Sequence, residues 1–218
     1  MVWGMKNYLI QLFGASTMEG RIGVEKTSER WYELLRAQLC EQYPAVCFSI
    51  YNGAVGGESL RERMSHLATD LAGHASNLCL ASFAWNNDDW EHPERVVPLQ
   101  EQETLIQRFF EALPPGLPVV GVIGQPLLDQ YHVVNANPAY DGIRRQYGSV
   151  NAFHDLEREL DRRAFRKHGC PFLDLSLLMA DAPETYILKT DGIHLSPAGH
   201  RLFADAMARL LQPLLDGL

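Results

Sequence analysis

Ser16 lies in Phe13-Gly14-Ala15-Ser16-Thr17-Met18-Glu19-Gly20, a turn of small residues that directly follows an apolar run. Such a turn leaves the hydroxyl exposed at a strand end, where a serine is a nucleophile if a base activates it; a turn or N-cap serine is the plain alternative. A base stands near the other end of the chain, in Thr190-Asp191-Gly192-Ile193-His194-Leu195-Ser196-Pro197. A carboxylate three residues before an imidazole can bend back to accept its Nδ1–H, which sets the tautomer and frees Nε2 to take a proton from a serine. An isolated Asp-x-x-His also occurs as a surface hydrogen bond, so its meaning depends on what accompanies it. Ser196 followed by Pro197 reads as an N-cap with proline at the first helical position, which ties this loop to the last helix.

Acyl transfer needs, in addition, donors aimed at the oxygen on which negative charge develops. Asn52-Gly53-Ala54-Val55-Gly56-Gly57-Glu58-Ser59 is a glycine-rich turn into a helix whose backbone N–H groups can serve. Taken alone, it fits a phosphate-binding turn or a strand-to-helix connector equally well. Ala84-Trp85-Asn86-Asn87-Asp88-Asp89-Trp90 offers an asparagine amide, from Asn86 or Asn87, with helix capping or an Asx-turn as the alternative use. Trp85, Asn87, Trp90 and His92 follow the same strand and are candidates for lining a substrate pocket, rim contacts being the other use of tryptophans there.

These segments share one property: each begins where an apolar run of strand length ends. The runs are Tyr8 to Phe13, Val46 to Tyr51, Leu78 to Ala84, Val119 to Ile123 and Phe172 to Leu175. Between them lie helical stripes: Trp31, Leu34, Leu35 and Leu39; Leu105, Ile106, Phe109, Phe110 and Leu113; and Phe203, Met207, Leu210, Leu211 and Leu214. Proline-free stretches from Leu60 to Ala72 and from Asn151 to Lys167 add two further helices, the charged part from Asp155 to Lys167 reading as a solvated face. Strands alternating with helices imply a parallel sheet covered on both sides, a three-layer α/β/α sandwich with five strands. Ligands of such sheets bind beyond the carboxyl ends of the strands, where the four segments fall. The remaining stretch, Gln125 to Ser149, exceeds ordinary loop length of ~12 to 15 residues and reads as a site-shaping loop or lid.

Nothing divides the 218 residues, so one domain over residues 1–218 is expected. With 19 Lys and Arg against 27 Asp and Glu, the net charge is -8, and there is no basic run to meet a phosphate backbone; a nucleic-acid partner is not expected. No apolar run approaches the ~18 residues of a membrane span, and Tyr8 to Phe13 is too short for a signal segment, so a soluble, cytoplasmic protein is expected. Cys40, Cys47, Cys79 and Cys170 form no CxxC pair and read as reduced thiols. His66, His74, His92, His132, His154 and His168 are scattered without ligand spacing, so no metal is implied; His200 reads as a structural or surface histidine.

In order and spacing the four segments resemble the SGNH (GDSL) hydrolase family over nearly the whole chain. Gly14-Ala15-Ser16 stands at that family's Gly-Asp-Ser block, Asn52 to Ser59 is similar to the second block, Ser82-Phe83-Ala84-Trp85-Asn86 to the third, and Asp191-Gly192-Ile193-His194 to the last. The resemblance implies a flavodoxin-like sandwich, a Ser16–His194–Asp191 triad, and an oxyanion hole from the N–H groups of Ser16 and Gly57 with the Asn86 side chain. Asn86 rather than Asn87 keeps the family's spacing from strand to asparagine. It further implies a serine esterase that needs no cofactor and acts on a small-molecule ester with a short acyl group, such as an O-acetyl on a carbohydrate. An acyltransferase using the same site, or a binding module with impaired chemistry, are the alternatives. Ala15 replaces the family's aspartate, whose hydrogen bonds are then unmade or supplied by Glu19 or Asp88; Ala84 and Asn87 depart from the third block's glycine and aspartate.

Overall fold

The computed structural model describes residues 5–218; residues 1–4 of the expected domain lie outside the described residues. Five apolar segments form β1 (Lys6–Phe13), β2 (Val46–Asn52), β3 (Leu78–Ala81), β4 (Val119–Ile123) and β5 (Phe172–Asp174). All neighbours are parallel, in the order β2-β1-β3-β4-β5. β1 pairs on one side with β2, Ile10 opposite Ile50, and on the other with β3, Ile10 opposite Leu78. The chain therefore leaves β1 for one edge and returns past it to reach β3, which opens a crevice beyond their carboxyl ends.

Nine helices lie among the described residues: α1 (Ser16–Glu19), α2 (Trp31–Gln42), α3 (Leu60–Gly73), α4 (Leu99–Ala112), α5 (Asp141–Tyr147), α6 (Val150–Lys167), α7 (Leu175–Leu178), α8 (Pro183–Tyr186) and α9 (Pro197–Leu215). Successive strand residues face opposite sides of a sheet, and β1 divides its side chains accordingly. Ile10 and Leu12 join Leu35 and Leu39 of α2 and Phe203, Met207 and Leu211 of α9 in one core. Phe13 joins Leu60 and Leu67 of α3, Phe109 of α4 and Phe165 of α6 in the other. Trp31 anchors the first layer: it is fully buried, stacks on Phe203 with centroids 4.0 Å apart, and donates from its indole to the Thr17 carbonyl at 3.0 Å.

Two strands end earlier than their apolar runs. β3 stops at Ala81 rather than Ala84 because the carbonyls from Ser82 onward turn away from β4 onto the Arg63 guanidinium. β5 stops at Asp174, whose carboxylate accepts the Leu177 N–H at 3.2 Å and starts α7. The stretch from Gln125 to Ser149 is folded rather than irregular, and it borders the His194 loop through the Leu128 N–H on the Gly192 carbonyl at 2.8 Å. It holds two short 3-10 turns and α5, with Tyr140 and Ile143 buried in a third apolar cluster beside Trp85, Val150 and Phe153. Arg144 pins it by donating to the carbonyls of Val134 (2.6 Å) and Asn137 (2.9 Å). A helix of seven residues rich in Tyr, Arg and Gly carries too little periodicity to be visible in advance.

The charged face expected from Asp155 to Lys167 is in part interior: Glu157, Arg158 and Asp161 are buried with His154. They partner one another and the backbone of neighbouring loops, a condition that spacing along a helix does not reveal. No helix among the described residues is long and apolar enough to cross a membrane.

Trp31→Ala removes a ring stack, an indole hydrogen bond and a large fully buried volume at once. The expected loss is about 3 to 5 kcal/mol of unfolding free energy, read by urea denaturation; a loss below 1 kcal/mol would show that Trp31 is not the anchor of this layer.

Candidate active site

β1 delivers the chain into α1, a single turn whose first residue is Ser16 and whose end is closed by Gly20, with the Gly20 N–H on the Ser16 carbonyl at 2.9 Å. From the far end of the sequence, the loop before α9 brings in His194. Ser196 caps α9 by accepting the Gly199 N–H at 3.1 Å and donates its own hydroxyl to the Thr185 carbonyl at 2.7 Å. Gly192 sits at φ +72 with a Cβ position only 2.6 Å from the Leu128 carbonyl and 2.7 Å from the His132 nitrogen, so only glycine lets this loop lie so close to its neighbour.

His194 Nε2 is 3.0 Å from Ser16 Oγ, and Nδ1 is 2.9 Å from Asp191 Oδ2. The other carboxylate oxygen accepts the backbone N–H groups of Ile193 (2.9 Å) and His194 (3.0 Å). Burial alone would raise the Asp191 pKa, but these two N–H groups and the imidazole hold it below the ordinary carboxylate value. Asp191 is thus ionised at neutral pH, and the tautomer it favours carries the histidine proton on Nδ1, with Nε2 free to accept from Ser16.

Asn86 and Gly57 face the same space. Gly57 has φ +82, and a Cβ built on it meets nothing within 4 Å, so its backbone borders open cleft. Asn86 Nδ2 donates to the Glu58 carbonyl at 3.3 Å. The cleft has a volume of about 420 Å³ and is bounded by Ser16, His194, Asn86 and the glycine turn, with Glu19 and Arg21 as charged wall and Ile22, Val55 and Ile193 as apolar wall. The glycine turn is tied to the Ser16 turn: Asn52 Nδ2 donates to the Glu19 carbonyl at 3.2 Å and the Val55 N–H to the Gly14 carbonyl at 3.2 Å. At the end of this turn the Glu62 carboxylate accepts the Ser59 N–H at 2.7 Å in a capping box, so that donor is already taken.

The four expected pocket residues lie elsewhere. Asn87 is fully buried; its Oδ1 accepts the Leu60 N–H at 2.7 Å and its Nδ2 donates to Glu157 at 3.0 Å, so it caps α3 from within. Trp85 is buried against the His154 ring, centroids 4.7 Å apart, and Trp90 is on the surface outside the cleft. His92 pairs with Asp89 at 3.1 Å on the exterior. Neither Glu19 nor Asp88 replaces the missing aspartate at position 15: Glu19 faces Arg21 at 3.6 Å, and Asp88 lies 3.3 Å from His154. Ala15 is instead buried in the apolar cluster that contains Ala84 and Trp85. His200 is buried and structural, accepting the Trp31 N–H at 3.2 Å and bonding the Ile22 carbonyl through Nε2 at 2.9 Å.

Sequence reading missed Gln125, which is fully buried at the end of β4. Its amide donates to the Ile193 carbonyl at 2.7 Å and bonds Thr17 Oγ1 at 3.0 Å, joining the residue beside His194 to the residue beside Ser16. A lone polar residue two positions after an all-apolar strand is its only signal in the sequence.

A sandwich of this order with a Ser, Gly, Asn and His constellation at its crevice defines a hydrolase of the SGNH type. The chain matches the family described as GDSL-like Lipase/Acylhydrolase over residues 12–202 and belongs to it. In fold it is similar to a lipase/acylhydrolase from Enterococcus faecalis, with TM-score 0.70 at 16% identity over 95% of this chain and 96% of that one. It is likewise similar to an acetylxylan esterase from Geobacillus stearothermophilus, TM-score 0.71 at 15% identity over 95% of each chain. A carbohydrate acetylesterase family member from Sinorhizobium meliloti gives TM-score 0.71 at 16% identity, covering 97% of this chain and all of that one, 100%. No curated protein matches the sequence.

Behind the site, burial alone would lower the pKa of His154, but Asp88 and Glu157 overcome it and push the imidazole up to about 9. An imidazole in the unfolded chain titrates near ~6.5, so this pairing stabilises the fold fully below that pH and ceases to as pH rises through about 9. Between pH 7 and pH 9.5 the unfolding free energy of the native protein is therefore expected to fall more steeply than that of His154→Gln. Equal slopes in chemical denaturation would contradict the assignment.

Proposed function

We propose that the protein is a serine esterase that cleaves a short acyl ester through an acyl-enzyme, with Ser16, His194 and Asp191 as the triad. The observation that carries this reading is the unbroken relay from Asp191 Oδ2 through both ring nitrogens of His194 to Ser16 Oγ, ending inside a cleft. A binding module has no need of a hydroxyl oriented by an imidazole whose own tautomer is set by a carboxylate.

In the first half-reaction Ser16 Oγ attacks the ester carbonyl as His194 Nε2 takes its proton, and Asp191 stabilises the imidazolium that forms. The carbonyl oxygen, now negative, accepts from the N–H groups of Ser16 and Gly57 and from one N–H of Asn86 Nδ2, the other N–H staying on the Glu58 carbonyl. His194 then returns the proton to the leaving alkoxide. Water, deprotonated in turn by His194, attacks the acyl-serine, and collapse of the second intermediate frees the acid and restores Ser16.

The walls of the cleft support a small acyl group. Glu19 Oε2 lies 2.6 Å from where a Cβ of Gly56 would be, so carboxylate and backbone close one side against the nucleophile. Ile22, Val55 and Arg21 line the cleft and are all exposed, which suits a polar alcohol outside a small acyl site. That two of the fold's neighbours are named for acetyl esters of carbohydrates supports an acetylated sugar as the first natural substrate class to try.

Purified protein is expected to hydrolyse p-nitrophenyl acetate and butyrate faster than longer esters. Ser16→Ala and His194→Ala should each lower kcat by roughly 10⁴-fold or more, and Asn86→Ala by about 10²-fold. Absence of turnover and of an acylation burst in the native protein, shown to be folded, would overturn the reading.

A further inference from the structure

Arg63 stands in a run of charges, Arg61-Glu62-Arg63, that reads as solvated, yet its side chain is fully buried. It lies three residues after Leu60 and four before Leu67, on the stripe of α3 that faces the sheet. Its guanidinium donates to five backbone carbonyls. Nε reaches Ser59 at 3.3 Å, Nη1 reaches Ser82 at 3.0 Å, and Nη2 is shared among Phe83 (2.8 Å), Trp85 (3.2 Å) and Ala84 (3.3 Å).

Four successive carbonyls can converge on one cation only if the chain curls as it leaves β3. Trp85 at φ +84 and Asn86 at φ +56 complete that curl, both in the left-handed region that side chains disfavour. Residues persist in such conformations only where their surroundings over-determine them. Here Arg63 holds the carbonyls, and the buried Asp161 of α6 accepts the Ala84 N–H at 3.2 Å. The Ser59 carbonyl belongs to the N-cap of α3, two residues beyond Gly57. One side chain thus joins the turn that presents Gly57 to the turn that presents Asn86.

We propose that Arg63 is the positioning residue of the oxyanion hole, setting the place of the Asn86 amide relative to the Gly57 N–H; this rests on the esterase reading above. Its planar fork of donors suits the task, since a lysine ammonium presents one nitrogen and cannot span the same carbonyls. Arg63 touches neither the nucleophile nor the cleft, so its influence on catalysis runs through Asn86.

A double-mutant cycle tests this on p-nitrophenyl acetate. Arg63→Lys is expected to lower kcat about ten-fold with KM within two-fold of native, because the loss falls on charge that develops only in the transition state. In the Asn86→Ala background the same substitution should cost less than two-fold, the donor it positions being already gone. Equal losses in both backgrounds, or an effect on KM alone, overturn the proposal while leaving the esterase reading intact. Full activity of Asn86→Ala overturns the proposal together with the donor role of Asn86, whereas the esterase reading falls only if the native protein shows no turnover. Where Arg63→Lys does not give a native circular dichroism spectrum and melting transition, Arg63→Gln, which buries no charge, carries the cycle under the same criteria.

Discussion

The Ser16 hydroxyl meets the His194 imidazole at 3.0 Å although 178 positions separate them in the chain. A contact this long in sequence and this short in space can be held only by rigid elements on both sides. α1 is a single turn and cannot hold itself, so it borrows stability from Trp31, whose indole takes the Thr17 carbonyl, and from Gln125, which bonds Thr17 Oγ1. The loop of His194 is fixed by Ser196 at the head of α9, by Gly192 against Leu128, and by the same Gln125 at Ile193. Because Gln125 lies just beyond β4 and Trp31 begins α2, the sheet and a helix packed on it both contribute to one distance.

The other half of the site depends on burying charge. Arg63, Glu157, Arg158, Asp161 and His154 lie inside the protein, a costly arrangement unless each group is paired. The pairs form one system beneath the loop after β3: Arg63 on its carbonyls, Asp161 on the Ala84 N–H, and Glu157 between Asn87 and His154. An apolar filling would stabilise the fold at lower cost, but it would leave the carbonyls of residues 82–85 without donors. A loop of left-handed residues held by charged side chains keeps an amide pointed into the cleft before substrate arrives, which is what stabilising a developing oxyanion requires.

Much of this organisation is legible along the chain because it rests on periodicity and punctuation. Apolar runs marked the five strands, Ser196-Pro197 marked the head of α9, and Asp191 and His194 lie together as their three-residue spacing allows. What sequence did not reveal depends on partners distant in the chain. Trp85 and Asn87 read as candidates for lining a pocket beyond a strand end, and only the arrival of α6 and α3 turns them inward. Arg63 and Asp161 look like solvent-facing charges until the loop after β3 supplies their partners. The early end of β3 has the same origin, since the apolar letters at Phe83 and Ala84 continue past the point where the carbonyls turn to Arg63.

The central claim is that Ser16 is a nucleophile made reactive by His194 and Asp191. Intact-protein mass spectrometry after exposure to a fluorophosphonate, followed by peptide mapping, addresses it without assuming any substrate. The account predicts one adduct, on the peptide that contains Ser16, formed rapidly by the native protein and at least a hundred-fold more slowly by His194→Ala. Labelling at another residue, or labelling of Ser16 at the same rate with and without His194, would contradict it.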